Sequence, residues 1–251
     1  MPIPDQITAA LSLAHPSWRP VLAAGLERMD ADYLRTLATD QYLPTDGRLF
    51  AAFALPLDAV RYVLVGEGPY PREQSATGVC FMDGAVDALW CDTGLSKPVN
   101  RATSLRNFMK MLLVAEGALS ADACAGEAMA SVAQDALAGR YIATLAQLQG
   151  KLTAQGFLLL NASLVFRPHV APAVDARAWL PFLQTVLEAL AGLAAPPKLV
   201  LWGKIAEQLK KLPESERFGH ICAEHPYNLS FISNPEMQAL FGPMQLLAAG
   251  R

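Results

Sequence analysis

The chain has 251 residues, 53% of them hydrophobic, which is enough for one domain with a sizeable core. The formal net charge of −3 and the isoelectric point of about 5.8 argue against a protein that coats nucleic acid non-specifically, but do not exclude a local basic groove. No apolar run approaches the ~18 residues of a membrane span, and the first residues lack the basic segment of a secretory signal, so we predict a cytoplasmic protein.

The cysteines are scattered along the chain and form no C-x-x-C pair, which argues against a zinc ribbon or an iron–sulfur cluster. We therefore predict buried free thiols, no metal site and no cofactor. The four residues are Cys80, Cys91, Cys124 and Cys222.

The first predicted element is an amphipathic helix over residues 19–38, where apolar residues recur every three or four positions. Short apolar runs predict buried strands at 61–66, 157–161 and 198–202. Between them, helical patterns cover 104–115, the alanine-rich 127–154 and 178–194. The alanine-rich residues 118–140 are interpreted as an ordinary helix or an insertion.

Strands that alternate with helices indicate right-handed βαβ crossovers and a sheet covered on both faces. We predict one α/β domain over residues 1–251, in which a largely parallel sheet forms the middle of three layers. In such folds ligands bind at the carboxyl ends of the strands.

Four polar segments follow the predicted strands: "GEGPYP" at 66–71, "NASLVFRP" at 161–168, "WGK" at 202–204 and "HPYNLS" at 225–230. Each is weak by itself. A Gly/Pro turn after a strand is usually only a turn, and a lone histidine is more often structural than catalytic.

Together and in this order, the segments resemble the motifs of the family 1 uracil-DNA glycosylases, which read GQDPYH, G-L-A-F, LLLN, LLWG and HPSPLS. The corresponding stretches here are "GEGPYP", "GVCF" at 78–81, "LLLN" at 158–161, "VLWG" at 200–203 and "HPYNLS". The resemblance extends over most of the chain, from about residue 17 to residue 247. It implies an α/β/α fold whose central, largely parallel sheet has four strands.

The resemblance implies a pocket for an extruded base, bounded by the turn that Gly66 begins. Tyr70 would lie against C5 of the base and exclude the methyl group of thymine, while Phe81 would stack on the ring. The Asn161 amide would pair with N3–H and O4 of uracil, and His225 would donate to O2 as the base departs.

Each pocket residue also has an ordinary structural interpretation. Tyr70 and Phe81 could be core aromatics, Asn161 a strand-end cap, and His225 a buried hydrogen-bonding residue.

The same resemblance implies a DNA-binding surface. Ser104 and Ser230 match the serines that grip phosphates, and Leu229 matches the leucine that fills the hole left by the base. Ser104 could also be a helix N-cap. A basic patch near the DNA would come from Lys204, with Lys210, Lys211, Arg101 and Arg106 as further candidates, although each of these cations could equally be an ordinary solvated residue.

The sequence departs from the family at both ends of this set. In the first motif, Gly68 stands in place of the family's aspartate, which orients the attacking water. The residue before it is Glu67 rather than glutamine, and Pro71 stands in place of the final histidine. In the last motif Tyr227 and Asn228 replace the Ser-Pro pair that contacts the DNA backbone.

We therefore predict a monomeric DNA glycosylase that removes uracil, or a related damaged pyrimidine, from single- or double-stranded DNA. Its activity would be weak or specialised, with Glu67 and His225 as the catalytic residues. The alternatives are a non-catalytic DNA-binding or lesion-sensing protein and a small-molecule binder of free nucleobases.

Overall fold

The structure is a computed structural model, and it describes residues 3–250. Its strands are β1 (Tyr62–Gly66), β2 (Trp90–Cys91), β3 (Gly94–Leu95), β4 (Phe157–Asn161), β5 (Lys198–Trp202) and β6 (His220–Ala223). The α-helices are α1 (Asp5–Ala9), α2 (Arg19–Glu27), α3 (Ala31–Thr39), α4 (Lys97–Arg101), α5 (Thr103–Ala115), α6 (Gly126–Leu137), α7 (Leu145–Ala154), α8 (Pro172–Ala191), α9 (Lys204–Leu209) and α10 (Pro235–Phe241). Short 3₁₀ turns complete the chain, at Ala10–Leu13, Pro16–Trp18, Arg48–Ala54, Leu57–Ala59, Ala121–Ala123, Pro213–Arg217, Leu229–Ser233 and Gly242–Met244.

The predicted sheet is confirmed. Four parallel strands lie in the order β4-β1-β5-β6, with helices on both faces, so the fold is three-layer α/β/α. β1 pairs with β4 from Tyr62 opposite Phe157 to Gly66 opposite Asn161. Every residue of β4 is buried, as expected for an apolar run inside a covered parallel sheet. The carboxyl ends of β1 and β4 therefore bring Gly66 and Asn161 side by side.

A small antiparallel pair, β2 with β3, was not predicted from the sequence. Each of its strands has only two residues, which is too short to leave an alternating pattern.

The single helix predicted over 19–38 is wrong, because the structure has two helices there. The Asp30 side chain accepts from the backbone N–H of Tyr33 and caps a new helix, α3. The alanine-rich stretch 127–154 is also divided, into α6 and α7. Gly139 lies between them at φ +82°, and Thr144 with Gln147 forms a capping box at the start of α7. Helix α8 begins at Pro172, earlier than predicted, because proline suits the first helical position.

The chain divides into two compact units. Unit 1 comprises residues 3–84, 156–201 and 205–220, and unit 2 comprises 85–155, 202–204 and 221–250. In unit 1, α2 packs on α8, and its aromatic core includes Trp18, Phe50, Phe53, Trp179 and Phe182. In unit 2, Trp202 packs against Phe108, Phe231 and Phe241. One domain over 1–251 stays a prediction.

Among residues 3–250, no helix combines the length and apolar character needed to cross a membrane.

Candidate functional site

In unit 1, Gly66 and Asn161 meet at the carboxyl ends of β1 and β4. A Cβ atom on Gly66 would lie 2.5 Å from Cys80 Sγ and 3.0 Å from Asn161 Oδ1, so no larger residue fits without a shift of its neighbours. Glycine therefore lets the backbone of the first motif approach the asparagine closely.

The turn after β1 is held by a continuation of the sheet ladder. The backbone N–H of Ala162 donates to Gly66 O at 2.8 Å, and that of Ser163 donates to Glu67 O at 3.1 Å. Glu67 is exposed, so its carboxylate has access to water. Gly68 is also exposed, and a Cβ there would lie 3.7 Å from Ser163 O, an ordinary contact distance. The position that lacks the family's aspartate thus has room for a side chain.

Asn161 is buried, with 4% of its surface exposed. Within residues 3–250 its side-chain amide has no hydrogen-bond partner, so the interpretation of Asn161 as a strand-end cap is wrong. Its amide atoms are not among the fully buried side-chain atoms that lack a partner, so they remain accessible to a ligand that could supply their hydrogen bonds. Asn161 therefore has the surroundings expected of a ligand-reading residue.

Tyr70 and Phe81 flank the buried Cys80 thiol, and both are half-buried rather than core residues. Burial, Cys80 and Asp83 raise the pKa of the Tyr70 phenol well above its usual range, so the ring stays neutral. Burial likewise raises the pKa of the Cys80 thiol to about 12. Both groups therefore stay uncharged at neutral pH.

Cys80 is buried as predicted, but Cys91 is exposed and Cys124 and Cys222 are half-buried, so the prediction of buried thiols is wrong for these three.

Phe81 adopts φ +68°, the left-handed region that bulky residues rarely occupy. Such backbone strain costs on the order of 1–3 kcal/mol and persists only where the surroundings impose it. The preceding residue is anchored, because the backbone N–H of Cys80 donates to Leu159 O at 3.0 Å. The strained backbone fixes the direction of the Phe81 ring.

In unit 2, the backbone of Gly203 lies close to the side chain of His225. Gly203 has φ +62°, and a Cβ on it would lie 2.8 Å from the Cβ of His225. His225 is exposed, so the alternative of a buried hydrogen-bonding histidine is wrong. Its Nδ1 accepts from the backbone N–H of Tyr227 at 3.1 Å. The neutral imidazole therefore carries its proton on Nε2, the atom that can donate to a substrate.

The backbone of the "HPYNLS" segment is pinned by Asn107, a residue that sequence analysis missed. Asn107 is fully buried, and its Nδ2 donates to the carbonyl oxygens of Pro226, Tyr227 and Asn228 at 2.8, 3.3 and 3.4 Å. The Asn107 Oδ1 accepts from Arg106 Nε at 3.3 Å, which orients the amide. A single asparagine within the apolar face of α5 was the available signal.

The exposed side chains of this segment include Tyr227 and Leu229, at 68% and 69% relative exposure. Leu229 begins a 3₁₀ turn that ends at Ser233, and the side chain of Ser230 bonds to Glu224. Burial alone would raise the pKa of Glu224, but hydrogen bonds from Ser230, its own backbone amide and Asn234 lower it. Sequence analysis also missed Glu224, which places a carboxylate beside the predicted phosphate-binding serine.

Of the remaining predicted DNA contacts, four are also in unit 2, whereas the exposed Lys210 and Lys211 are in unit 1. Ser104 is the second residue of α5 and half-buried, and the helix is capped by Ala102, so the N-cap alternative for Ser104 is wrong. Lys204 is exposed at the start of α9, as is Arg101 on α4. The Arg106 guanidinium instead bonds within the protein, to Asn107 and Asn100.

The predicted site residues thus fall into two sets. Unit 1 contains Gly66, Glu67, Tyr70, Phe81 and Asn161, and unit 2 contains Ser104, Lys204, His225, Tyr227, Asn228, Leu229 and Ser230. That the two sets line one cavity stays a prediction. In the part of the chain that the structure describes, no group of three or more His, Cys, Asp or Glu side chains could hold a metal ion.

A scan against known protein-family models finds no match. The chain is 31% identical over 225 residues to the uracil-DNA glycosylase of Corynebacterium glutamicum, an alignment that covers 86% of this chain and 81% of the relative. It is 25% identical over 229 residues to the uracil-DNA glycosylase of Tropheryma whipplei, with 89% and 84% covered.

Among solved structures, the wild-type UNG of Nitratifractor salsuginis superposes with a TM-score of 0.92 and 38% identity, over 100% of this chain and 99% of that one. Mimivirus uracil-DNA glycosylase shares the fold, with a TM-score of 0.56 and 18% identity. The chain belongs to the uracil-DNA glycosylase family.

Proposed function

We propose that this protein is a DNA N-glycosylase that hydrolyses the bond between uracil, or a related damaged pyrimidine, and deoxyribose in DNA. Relatives named uracil-DNA glycosylase over most of the chain support this proposal. The observation that carries it is the buried Asn161 amide, which has no partner among residues 3–250 and lies against Gly66.

Asn161 would read the Watson–Crick edge of the base. Its Nδ2 would donate to O4 of uracil and its Oδ1 would accept from N3–H. Cytosine presents a donor and an acceptor in the reverse order, so the same amide would leave both cytosine groups unpaired. Phe81 would stack on the ring, and Tyr70 would exclude a methyl group at C5.

His225 would stabilise the departing base. When the N-glycosidic bond breaks, its electron pair stays with uracil and negative charge accumulates on O2. The Nε2–H of His225 would donate to that oxygen, in the tautomer that the Tyr227 amide sets. Water then bonds to the sugar carbon and loses a proton, which leaves free uracil and an abasic site.

Glu67 would orient the attacking water, because it is the carboxylate of the first motif and is exposed to solvent. Loss of one preorganised catalytic group typically costs about 10²–10⁴ in rate, against total enhancements of about 10⁶ or more. We therefore propose weak or specialised turnover, in a monomer found in the cytoplasm, rather than no turnover.

DNA contact would come from unit 2, where Leu229 would fill the gap in the stack and Ser104 and Ser230 would bind phosphates. Asn228 and Lys204 would make further contacts to the DNA backbone, and Tyr227 would contact the DNA beside them. Binding should weaken as salt rises, in proportion to the phosphates neutralised.

The test is excision of uracil from a labelled oligonucleotide, single-stranded and duplex, by wild type and His225→Ala. We expect cleavage by wild type and a loss of about 10²-fold or more in the variant. Uracil-DNA binding without cleavage would favour a lesion-sensing protein, which the glycine at position 68 supports. Binding of free uracil without salt-sensitive DNA affinity would favour a nucleobase binder.

A further inference from the structure

We propose that Tyr227 binds DNA by stacking its ring on the nucleobase next to the extruded uracil. This inference rests on the proposed function and assigns the segment 225–230 a second base-contacting side chain besides Leu229. In this proposal the aromatic ring of Tyr227 contacts a base, and its hydroxyl group is not used to bind a phosphate.

The backbone of Tyr227 is fixed before any DNA arrives. Its carbonyl oxygen accepts from the buried Asn107, its N–H donates to His225 Nδ1, and the N–H of Asn228 donates to His225 O at 2.9 Å. A rigid backbone that carries an aromatic side chain loses little conformational entropy on binding, because only two side-chain torsions are ordered.

The Tyr227 side chain is exposed and accessible to a binding partner. It is 68% exposed, and in the described residues its hydroxyl group makes no hydrogen bond and its ring no aromatic contact. Its neighbours along the segment, Pro226 and Phe231, are buried. An aromatic ring left exposed on a fixed backbone is costly to solvate and suited to stacking.

The charges of unit 2 favour stacking over a backbone contact. Residues 85–155, 202–204 and 221–250 of this unit contain seven Lys or Arg residues and eight Asp or Glu residues, so they carry no excess of positive charge. The carboxylate of Glu224 also bonds to Ser230 within the same segment. A phosphate near Tyr227 would therefore gain little electrostatic attraction. Stacking on a base needs no positive charge, and in other proteins it is worth about 5- to 100-fold in affinity per base.

Tyr227 and Leu229 should have different preferred substrates. Leu229 fills a hole that exists only when the strand is stacked in a duplex. A neighbouring base in a single strand is free to turn its whole face to Tyr227, whereas in a duplex it stays paired and stacked on its far side. The contribution of Tyr227 should therefore be largest on single-stranded DNA.

The experiment measures binding of single-stranded oligonucleotides that carry a non-hydrolysable uracil nucleotide, with each neighbouring base replaced in turn by an abasic analogue. For wild type, replacing the base on one side of the uracil should weaken binding about 5- to 100-fold, and this identifies the base on which Tyr227 stacks. Tyr227→Ala should bind the intact oligonucleotide that much more weakly and be insensitive to the replacement. Tyr227→Phe, which keeps the ring and lacks the hydroxyl group, should keep the sensitivity of wild type.

Leu137→Ala is the matched control, because Leu137 is also an exposed large apolar residue of unit 2, at the end of α6. Leu229→Ala should lose more affinity for duplex than for single strands, the reverse of Tyr227→Ala. Two results would overturn the proposal. One is an equal loss of affinity in Tyr227→Phe and Tyr227→Ala, and the other is a Tyr227→Ala variant that is still sensitive to replacement of the neighbouring base. Wild type that shows this sensitivity but excises no uracil would support stacking and refute the proposed catalysis.

Discussion

The side-chain amide of Asn107 donates to the carbonyl oxygen of Pro226 at 2.8 Å, from a position on α5 that is fully buried. The same nitrogen lies 3.3 Å from Tyr227 O and 3.4 Å from Asn228 O. One buried amide thus fixes the backbone directly after His225, so the residues proposed for catalysis and those proposed for DNA binding in this segment depend on the same hydrogen-bond donor.

Replacing this amide should disable the segment. Asn107→Leu keeps the approximate volume but leaves the carbonyl oxygen of the buried Pro226 without this donor, which typically costs about 1–3 kcal/mol. We expect reduced stability in urea unfolding together with a loss of uracil-DNA binding. The control is Asn100→Leu, which removes the bond from Asn100 Nδ2 to Leu95 O and leaves the 225–230 segment intact. Similar DNA binding by both variants would contradict a specific role for Asn107.

Three strands of the parallel sheet could be predicted because they are buried apolar runs, such as "FLLLN". The fourth, β6, could not, because it has only four residues and none of them is fully buried. The break between α2 and α3 could not, because the apolar spacing continues across it and only the Asp30 cap interrupts the helix. Asn107 was missed for a similar reason: its role depends on carbonyl groups more than 100 positions away along the chain, which no local pattern reveals.

Asn161→Asp should abolish selective recognition of uracil. A carboxylate cannot donate to O4 and would repel it, and a buried charge without a partner is costly. Binding of the uracil and cytosine oligonucleotides should be compared with that of Asn161→Ala, which removes the donor and the acceptor without adding charge. We expect both variants to lose affinity for the uracil oligonucleotide. Only the aspartate variant should gain affinity for the cytosine oligonucleotide. Unchanged uracil excision by Asn161→Asp would refute the assigned role.

Arg167 should be a major contributor to the stability of unit 1. Its guanidinium is buried and contacts the buried Asp175 through Nη2 at 2.6 Å, and Nη1 contacts Asp40 at 3.0 Å. Arg167→Met would leave the buried Asp175 carboxylate without its cation, with only the Tyr33 hydroxyl group still donating to it, at a cost of about 3–5 kcal/mol in unfolding free energy. Adding Asp175→Asn should recover part of the loss. A double variant no more stable than Arg167→Met would show that the unpaired charge is not the cause.

The Asp40 contact should also make stability depend on pH. Burial alone would raise the pKa of the Asp40 carboxyl group, but Arg167, the Gln41 amide and His169 lower it below its usual value. A lowered folded-state pKa means that the folded protein binds fewer protons than the unfolded chain, so this stabilisation is present above about pH 4 and is lost as the pH falls through the folded value. In thermal melts, the difference between wild type and Asp40→Asn should therefore shrink below about pH 4. A difference that does not change with pH would contradict this assignment.

A substitution in the first motif, at Glu67, tests whether the natural protein has a catalytic carboxylate. Glu67→Gln keeps the size of the side chain and removes its charge, so excision should fall by about 10²-fold or more while base binding stays nearly intact, as for a group that acts mainly in the transition state. Single-turnover excision and equilibrium binding separate the two effects.

Gly68→Asp is the converse change. Gly68 is not among the residues with positive φ, and a Cβ on it would meet Ser163 only at ordinary contact distances of 3.7 and 3.9 Å, so aspartate fits without backbone strain. Excision should rise by about 10²-fold, since a second carboxylate would orient the water. Gly68→Asn is the matched control, because it adds the same volume without the charge, and it should give no gain. If Glu67→Gln had no effect and Gly68→Asp alone gave strong excision, the natural protein would be a binding protein that keeps the base-reading residues and lacks the catalytic carboxylate.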